Sequence, residues 1–236
     1  MATFDSADTQ ADTKCVPLPW LLASLISAQI LCGTRLSVCG SFFMEVFCGE
    51  AIFTLGCVMH KVPCVRPWDI LFGEEFDVLA NEHVLTYLIS AGFISCMHFG
   101  SPCQSMTLAR LPQLRSWSFM LGRPGLSESQ QSLVDLGNRL MSVTARLICL
   151  LVAAGAYFSL ENPIGSWLWA LEPIVAIWWL DGVIFTEVKY NAYGANYVKP
   201  TGILHNLPTL ARLALVAPQT SLDMVVLRGK VFWKGD

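Results

Sequence analysis

Apolar residues in this chain fall into short runs and helical stripes that alternate from about residue 42 onward. Phe42 to Phe47 is a short apolar run that meets Gly49, and Ala51 to Met59 continues as a helix, giving strand, turn, helix. Pro63 to Asp69 reads as a second strand ending in an acidic residue, Asn81 to Ala91 as a helix, and Ile94 to Phe99 as a buried strand ending at Gly100. Ser127 followed three residues later by Gln130 is a capping-box signature. Behind it Leu133, Leu136, Leu140, Val143, Leu147 and Leu150 carry a helical stripe to about Gly155. Tyr157 to Leu160 is a strand running into Glu161, Asn162 and Pro163, with further strands at Val183 to Val188 and Gly202 to His205. This alternation predicts an α/β domain built on a doubly wound, mostly parallel sheet.

The flanks and one internal stretch depart from that pattern. Residues 1–14 are polar and without period, which predicts a disordered tail. Residues 15–40 read as an apolar helical segment, with Leu21, Leu22, Leu25, Ile26, Ile30 and Leu31 on one stripe and Gly33 as its stop. The core then spans 41–215, and 216–236 reads as an incomplete C-terminal segment around the short run Met224 to Leu227. Between Gly100 and Leu126, Pro102, Pro112, Gly122, Pro124 and Gly125 break up any period, which predicts a long functional loop.

Composition raises one alternative. Hydrophobic residues make up 54% of the chain and charged residues 14%, against a usual charged share of roughly 25%. A spanning helix needs about 20 apolar residues. The runs Trp20 to Gly33 and Leu147 to Leu160 have 14 each, and the Trp167 to Phe185 region is interrupted by Glu172, Pro173 and Asp181. Membrane insertion is therefore not expected. Three Asp and no basic residue precede Lys14, the reverse of a secretory n-region, so the expected location is intracellular, nuclear in a eukaryote and otherwise cytoplasmic. The nine cysteines include no CxxC pair and read as reduced thiols; His60, His83 and His98 lack metal-ligand spacing, so no metal is expected. A net charge of −3 gives no global attraction to nucleic acid.

Three polar clusters fall where a doubly wound sheet places ligands, just past the carboxyl ends of strands: Gly49 to Ala51, Gly100 to Gln104, and Glu161 to Pro163. Within them, EVFCGEAIFTLG, GSPCQS and LENP resemble, in order and spacing, the cofactor loop, nucleophile loop and glutamate strand of the C5-cytosine DNA methyltransferases. The resemblance covers about Phe42 to Asn206 and is to a divergent, shortened member of the phage or mobile-element kind. It implies a class I, Rossmann-like methyltransferase core that uses S-adenosylmethionine.

The chemistry of that family explains the residue types. C5 of cytosine is a poor nucleophile until a thiolate adds at C6, and Cys103 would supply it. An acid at N3 stabilises the ring as charge develops, the role that falls to Glu161. The resemblance also implies cofactor contacts from Phe47, Gly49, Asp69, Asp77 and Pro102, with Asp69 on the ribose hydroxyls and Asp77 near the adenine. Gln104, Ser105, Arg110 and Asn162 become candidate substrate contacts, and the loop after Cys103 would close over a base flipped out of its duplex. YGANYVKPT, Tyr193 to Thr201, resembles a late block of such members, and its Lys199 would meet a phosphate.

Two departures open an alternative. Only 37 residues separate Pro163 from Thr201, which leaves no room for a target-recognition domain, and the family's QxRxR block is missing. Sequence choice would then come from a separate partner, with RNA as an alternative substrate to DNA. The competing readings are a catalytically degenerate binding or accessory protein and, more remotely, a membrane-associated protein.

Overall fold

The computed structural model describes residues 15–16, 42–193, 197–214 and 225–226. The tail over 1–14, the expected helix from Trp20 to Gly33, and most of the C-terminal segment lie outside the described residues. Nine strands are described: β1 (Cys15–Val16), β2 (Phe42–Val46), β3 (Cys64–Val65), β4 (Ile94–Gly100), β5 (Tyr157–Pro163), β6 (Ile184–Lys189), β7 (Tyr197–Val198), β8 (Pro200–His205) and β9 (Val225–Val226). Seven of them form one sheet in the order β1-β3-β2-β4-β5-β8-β6, and β7 pairs with β9. Neighbours are parallel from β1 to β5, while β8 runs antiparallel to both β5 and β6. A mostly parallel, Rossmann-like sheet is what the sequence led us to expect, and the reversed β8, second from its edge, is an addition from the structure.

Two local expectations need correction. Cys15 and Val16, read as the start of a helical segment, instead pair in parallel with Cys64 and Val65. The strand expected over Pro63 to Asp69 shrinks to β3. Proline at 63 and 67 removes ladder donors on both sides of it, and pairing to β2 resumes only as the single bridge Val46 to Trp68.

Helices α1 (Ile52–Met59), α2 (Glu82–Ser90), α3 (Glu128–Ala153) and α4 (Glu172–Trp178) connect the strands. The capping box is present: Gln130 N–H donates to Ser127 Oγ at 3.4 Å, and Ser127 N–H donates back to Gln130 Oε1 at 3.0 Å. Among the described residues α3 is the one helix long and apolar enough to cross a membrane, and half of its most apolar window is buried. It packs against α2, α4 and the sheet.

Right-handed crossovers place α1, which leads from β2 toward one edge, on the opposite face from helices that lead toward the other edge. The face under α2, α3 and α4 is uniformly apolar. Met44, Val46, Met97, Phe99, Phe158, Leu160 and Leu204 meet Leu85, Leu88, Met141, Leu147, Ile148, Ile174 and Ile177 there. The other face carries the intervening residues, among them Phe43, Glu45, His98 and Ser159, with Glu45 opposite His98 and His98 opposite Ser159 in register. Phe53 of α1 covers part of it, standing edge-on to Phe43 and His98 at 5.0 and 4.7 Å between ring centroids.

Candidate active site

A cavity of about 740 Å³ opens on this second face and runs up to the carboxyl ends of β2, β4 and β5. Glu45, His98 and Ser159 line its floor, and Phe47, Gly49, Cys103, Glu161, Asn162 and Lys199 line its upper part. Three of the sequence clusters are thereby brought together.

The turn after β2 is built by Phe47, Gly49 and Ala51, all in the left-handed region with φ of 57°, 52° and 55°. Only the glycine adopts this freely, and a side chain there would meet nothing within 4 Å, so the backbone at 49 is open to a ligand. Asp69 holds the turn: its Oδ2 accepts the Gly49 N–H at 2.9 Å and its Oδ1 the Leu71 N–H at 3.0 Å. Both oxygens are engaged with backbone, and Asp69 does not line the cavity. Glu45 Oε2 accepts from the Thr54 N–H at 2.7 Å and from its hydroxyl, fixing the start of α1; burial raises this carboxyl above the usual range. Gly100 lies so close that a Cβ would stand 2.9 Å from Phe47 O. Asp77, whose Oδ1 caps the Leu79 N–H at 2.9 Å, also lies off the cavity lining.

The nucleophile loop begins as a tight turn in which Met106 and Thr107 both donate their N–H groups to Cys103 O at 2.9 Å. Pro102 and Gln104 are exposed and Cys103 is half-buried. Burial pushes the Cys103 thiol up, the Lys199 ammonium pulls it down, and Glu161 pushes it up slightly. Ser105 is placed differently from expectation. It is buried against α3, and Arg115, fully buried, donates to its carbonyl at 3.0 Å and its hydroxyl at 3.1 Å. Arg115 also donates to Met120 O, to Asn138 Oδ1 at 2.7 Å and to Val134 O at 3.2 Å, so all five of its N–H groups are used. Burial lowers this guanidinium to about 10, against the opposing pull of the Asp135 carboxylate. Gly137 makes the arrangement possible, because a Cβ there would stand 2.4 Å from Ser105 Oγ. Arg110 lies outside the cavity, its Nε buried without a partner.

Opposite Cys103, β5 presents Glu161 and Asn162. Tyr190 OH donates to Glu161 Oε1 at 3.3 Å, Lys199 Nζ stands 3.7 Å from the same oxygen, and the ammonium lies 5.4 Å from the centre of the Tyr190 ring. Asn162 Nδ2 donates to Ser101 O at 2.9 Å. That leaves Asn162 Oδ1 and Ser101 Oγ buried on the cavity wall with no partner. Among the described residues no three His, Cys, Asp or Glu stand together to hold a metal, and the cysteines at 48, 57, 64, 96, 103 and 149 form no disulfide.

Sequence reasoning missed Tyr190, Ser101 and Arg115. Ser101 sits inside the quoted GSPCQS and was within reach. Tyr190 and Arg115 carry no local signal, since their roles come from contacts 29 and 10 residues away.

No protein-family model matches the chain, and no curated protein matches it. Among solved structures it is similar to a triple mutant of Spodoptera frugiperda DNMT2, with a TM-score of 0.41 and 11% identity, over 81% of this chain and 56% of that one. The chain thus spans little more than half of that protein's length. At this distance the likeness adds nothing to the strand order and side-chain geometry described above.

Proposed function

We propose that the chain is an S-adenosylmethionine-dependent methyltransferase acting on C5 of cytosine in a nucleic acid. The observation that carries the reading is the cavity shared by Cys103 and Glu161, with Lys199 acting on both. The open backbone at Gly49, the strained Phe47 turn and the wall next to Pro102 fit the cofactor, which when bound supplies an electrophilic methyl group. Asp69 serves it indirectly, by holding the Gly49 turn.

In this reading the Cys103 thiol gives up its proton to solvent, and its sulfur bonds to C6 while the C5–C6 double bond opens. Glu161 relays a proton from solvent to N3 as negative charge reaches the ring. Once C5 carries the methyl group, loss of the C5 proton and departure of the cysteine sulfur restore the double bond. Lys199 and Tyr190 hold Glu161 Oε1 in place, and the ammonium stabilises the thiolate. The alternative, a binding protein without catalysis, draws support from the engagement of both Asp69 oxygens with backbone.

One trapping experiment separates the two. The full chain is mixed with radiolabelled S-adenosylmethionine and oligonucleotides containing 5-fluorocytosine, in single-stranded and duplex form. The expected result is a labelled, denaturation-resistant adduct that is absent in Cys103→Ser and forms about tenfold more slowly in Lys199→Met. Because burial raises the thiol, adduct formation should climb as pH rises above neutrality, and Lys199→Met should move that rise to higher pH. Cofactor binding with no adduct on any oligonucleotide would establish the binding-protein reading instead.

A further inference from the structure

The loop that follows Cys103 carries basic residues and no acid. From Gly100 to Ser127 there are three arginines and no Asp or Glu, in a chain whose net charge is −3. One of the three, Arg115, is consumed inside the protein, whereas no carboxylate among the described residues pairs with Arg110 or Arg123. The same loop leaves Leu108, Leu111, Trp117, Phe119 and Leu121 exposed, Trp117 at 77% and Leu111 at 88% of their surfaces.

This apolar surface is held rigidly and lies next to the reacting groups. The Trp117 ring stands edge-on to Trp167 at 5.3 Å, which fixes one edge and leaves most of the ring in solvent. The backbone N–H of Trp167 donates to Met106 O at 2.8 Å, three residues from Cys103, and Trp167 lies four residues past Pro163. Thr107 and Ser166 form a bridge between the two catalytic loops at the same place. Two of the hydrogen bonds of Arg115, to Val134 O and Asn138 Oδ1, tie the loop to α3, and the other three hold the loop to itself at Ser105 and Met120.

We propose that this rim is a stacking platform for an unpaired nucleic-acid strand, on which bases flanking the target cytosine lie against Trp117 and its apolar neighbours while Arg110 and Arg123 meet phosphates. The proposal rests on the functional reading above and specifies the form of the substrate. Magnitude decides between unpaired and paired partners. A duplex binder that neutralises about 6–10 phosphates needs more cations than this region has: among the described residues Arg110, Arg123 and Arg212 carry no ion pair there, while Lys189 and Lys199 face Glu187 and Glu161. An aromatic platform needs few charges, but it needs bases whose faces are open, which a duplex does not present. With no target-recognition domain between β5 and β8, nothing else in the described residues grips a duplex.

The test is fluorescence anisotropy with the full-length protein and a labelled 12-nucleotide strand containing one cytosine, as DNA and as RNA, each alone and in duplex. The expected outcome is at least tenfold tighter binding to the single strand. Trp117→Ala should weaken it about tenfold, and Trp117→Phe should restore most of the loss. Arg123→Ala should weaken binding about threefold and flatten its salt dependence by close to one phosphate's worth. Circular dichroism and an unchanged melting temperature show that the variants fold. Equal or tighter binding of the duplex, or a folded Trp117→Ala protein that binds like wild type, overturns the platform. Methyl transfer measured on the same strands keeps the two proposals apart. Trp117-dependent binding without transfer sinks the reaction and leaves the platform standing, whereas transfer indifferent to Trp117 does the reverse.

Discussion

The two faces of the sheet are made from alternate residues of the same strands, yet they are built to opposite specifications. On the face under α2, α3 and α4, β2, β4 and β5 contribute Met44, Val46, Met97, Phe99, Phe158 and Leu160, each fully buried in one apolar cluster. One residue along each strand, the other face carries Glu45, His98, Ser159 and Glu161, and a cavity lies over it. The first face is closed by side chains from three helices. The second is closed in part by Phe53 and by hydrogen bonds, His98 Nδ1 to Ser159 Oγ at 2.8 Å among them. A sheet can therefore keep stability and chemistry apart by strand parity alone, because a side chain on one face has no path to the other.

The largest effect is expected on the apolar face. Phe158→Ala should cost about 3–5 kcal/mol in urea denaturation while leaving cofactor affinity of the folded fraction unchanged; a loss below about 1 kcal/mol would deny that this face carries the fold. Next comes the acid response of the polar face. Burial lowers the His98 imidazole from 6.5 to about 4, so the unfolded chain binds its proton first. The stability this provides is fully present above pH 6.5 and lost as pH falls toward 4, by about 3 kcal/mol over that window. The raised Glu45 carboxyl works in the opposite sense and trims the loss at its acid end. His98→Gln should flatten the profile of stability against pH between 6.5 and 4, and a profile as steep as wild type would assign the acid response to other groups. The smallest stability change should come from Gly100→Ala. Its Cβ would press on Phe47 O, at a cost of about 1–2 kcal/mol, but displacing the turn should weaken cofactor binding at least tenfold by calorimetry. Unchanged affinity would place the cofactor elsewhere.

Periodicity made most of this architecture legible. Strand β4, expected over Ile94 to Phe99, runs Ile94–Gly100, and the long helix begins at its capping box as Glu128–Ala153. These elements announce themselves through neighbours in sequence. Strand β3 did not, because Pro67 cuts a run whose apolar content reads as continuous. The candidate catalytic pair was legible because both residues sit in short motifs at strand ends. Ser105 was not, since a serine two residues past a nucleophile gives no hint that a buried arginine ten residues on will claim it. Asp69 shows the same limit: an acid at a strand end suggests a ligand contact, and only the fold reveals that both its oxygens hold backbone.

Arg115 also bears on how this molecule comes apart. A loop of more than twenty residues with neither helix nor strand normally exchanges its amide protons quickly and is cut first by proteases. Here Arg115 sits fully buried among the carbonyls of residues 105, 120 and 134, so the loop's backbone acceptors are shared with the main helix. The segment that bears Cys103 has been incorporated into the cooperative unit, and its amides around Ser105 and Met120 should open only when α3 does. Loss of the reactive thiol's environment and loss of the fold then become one event, and the rate of inactivation on heating reads out the rate of global unfolding.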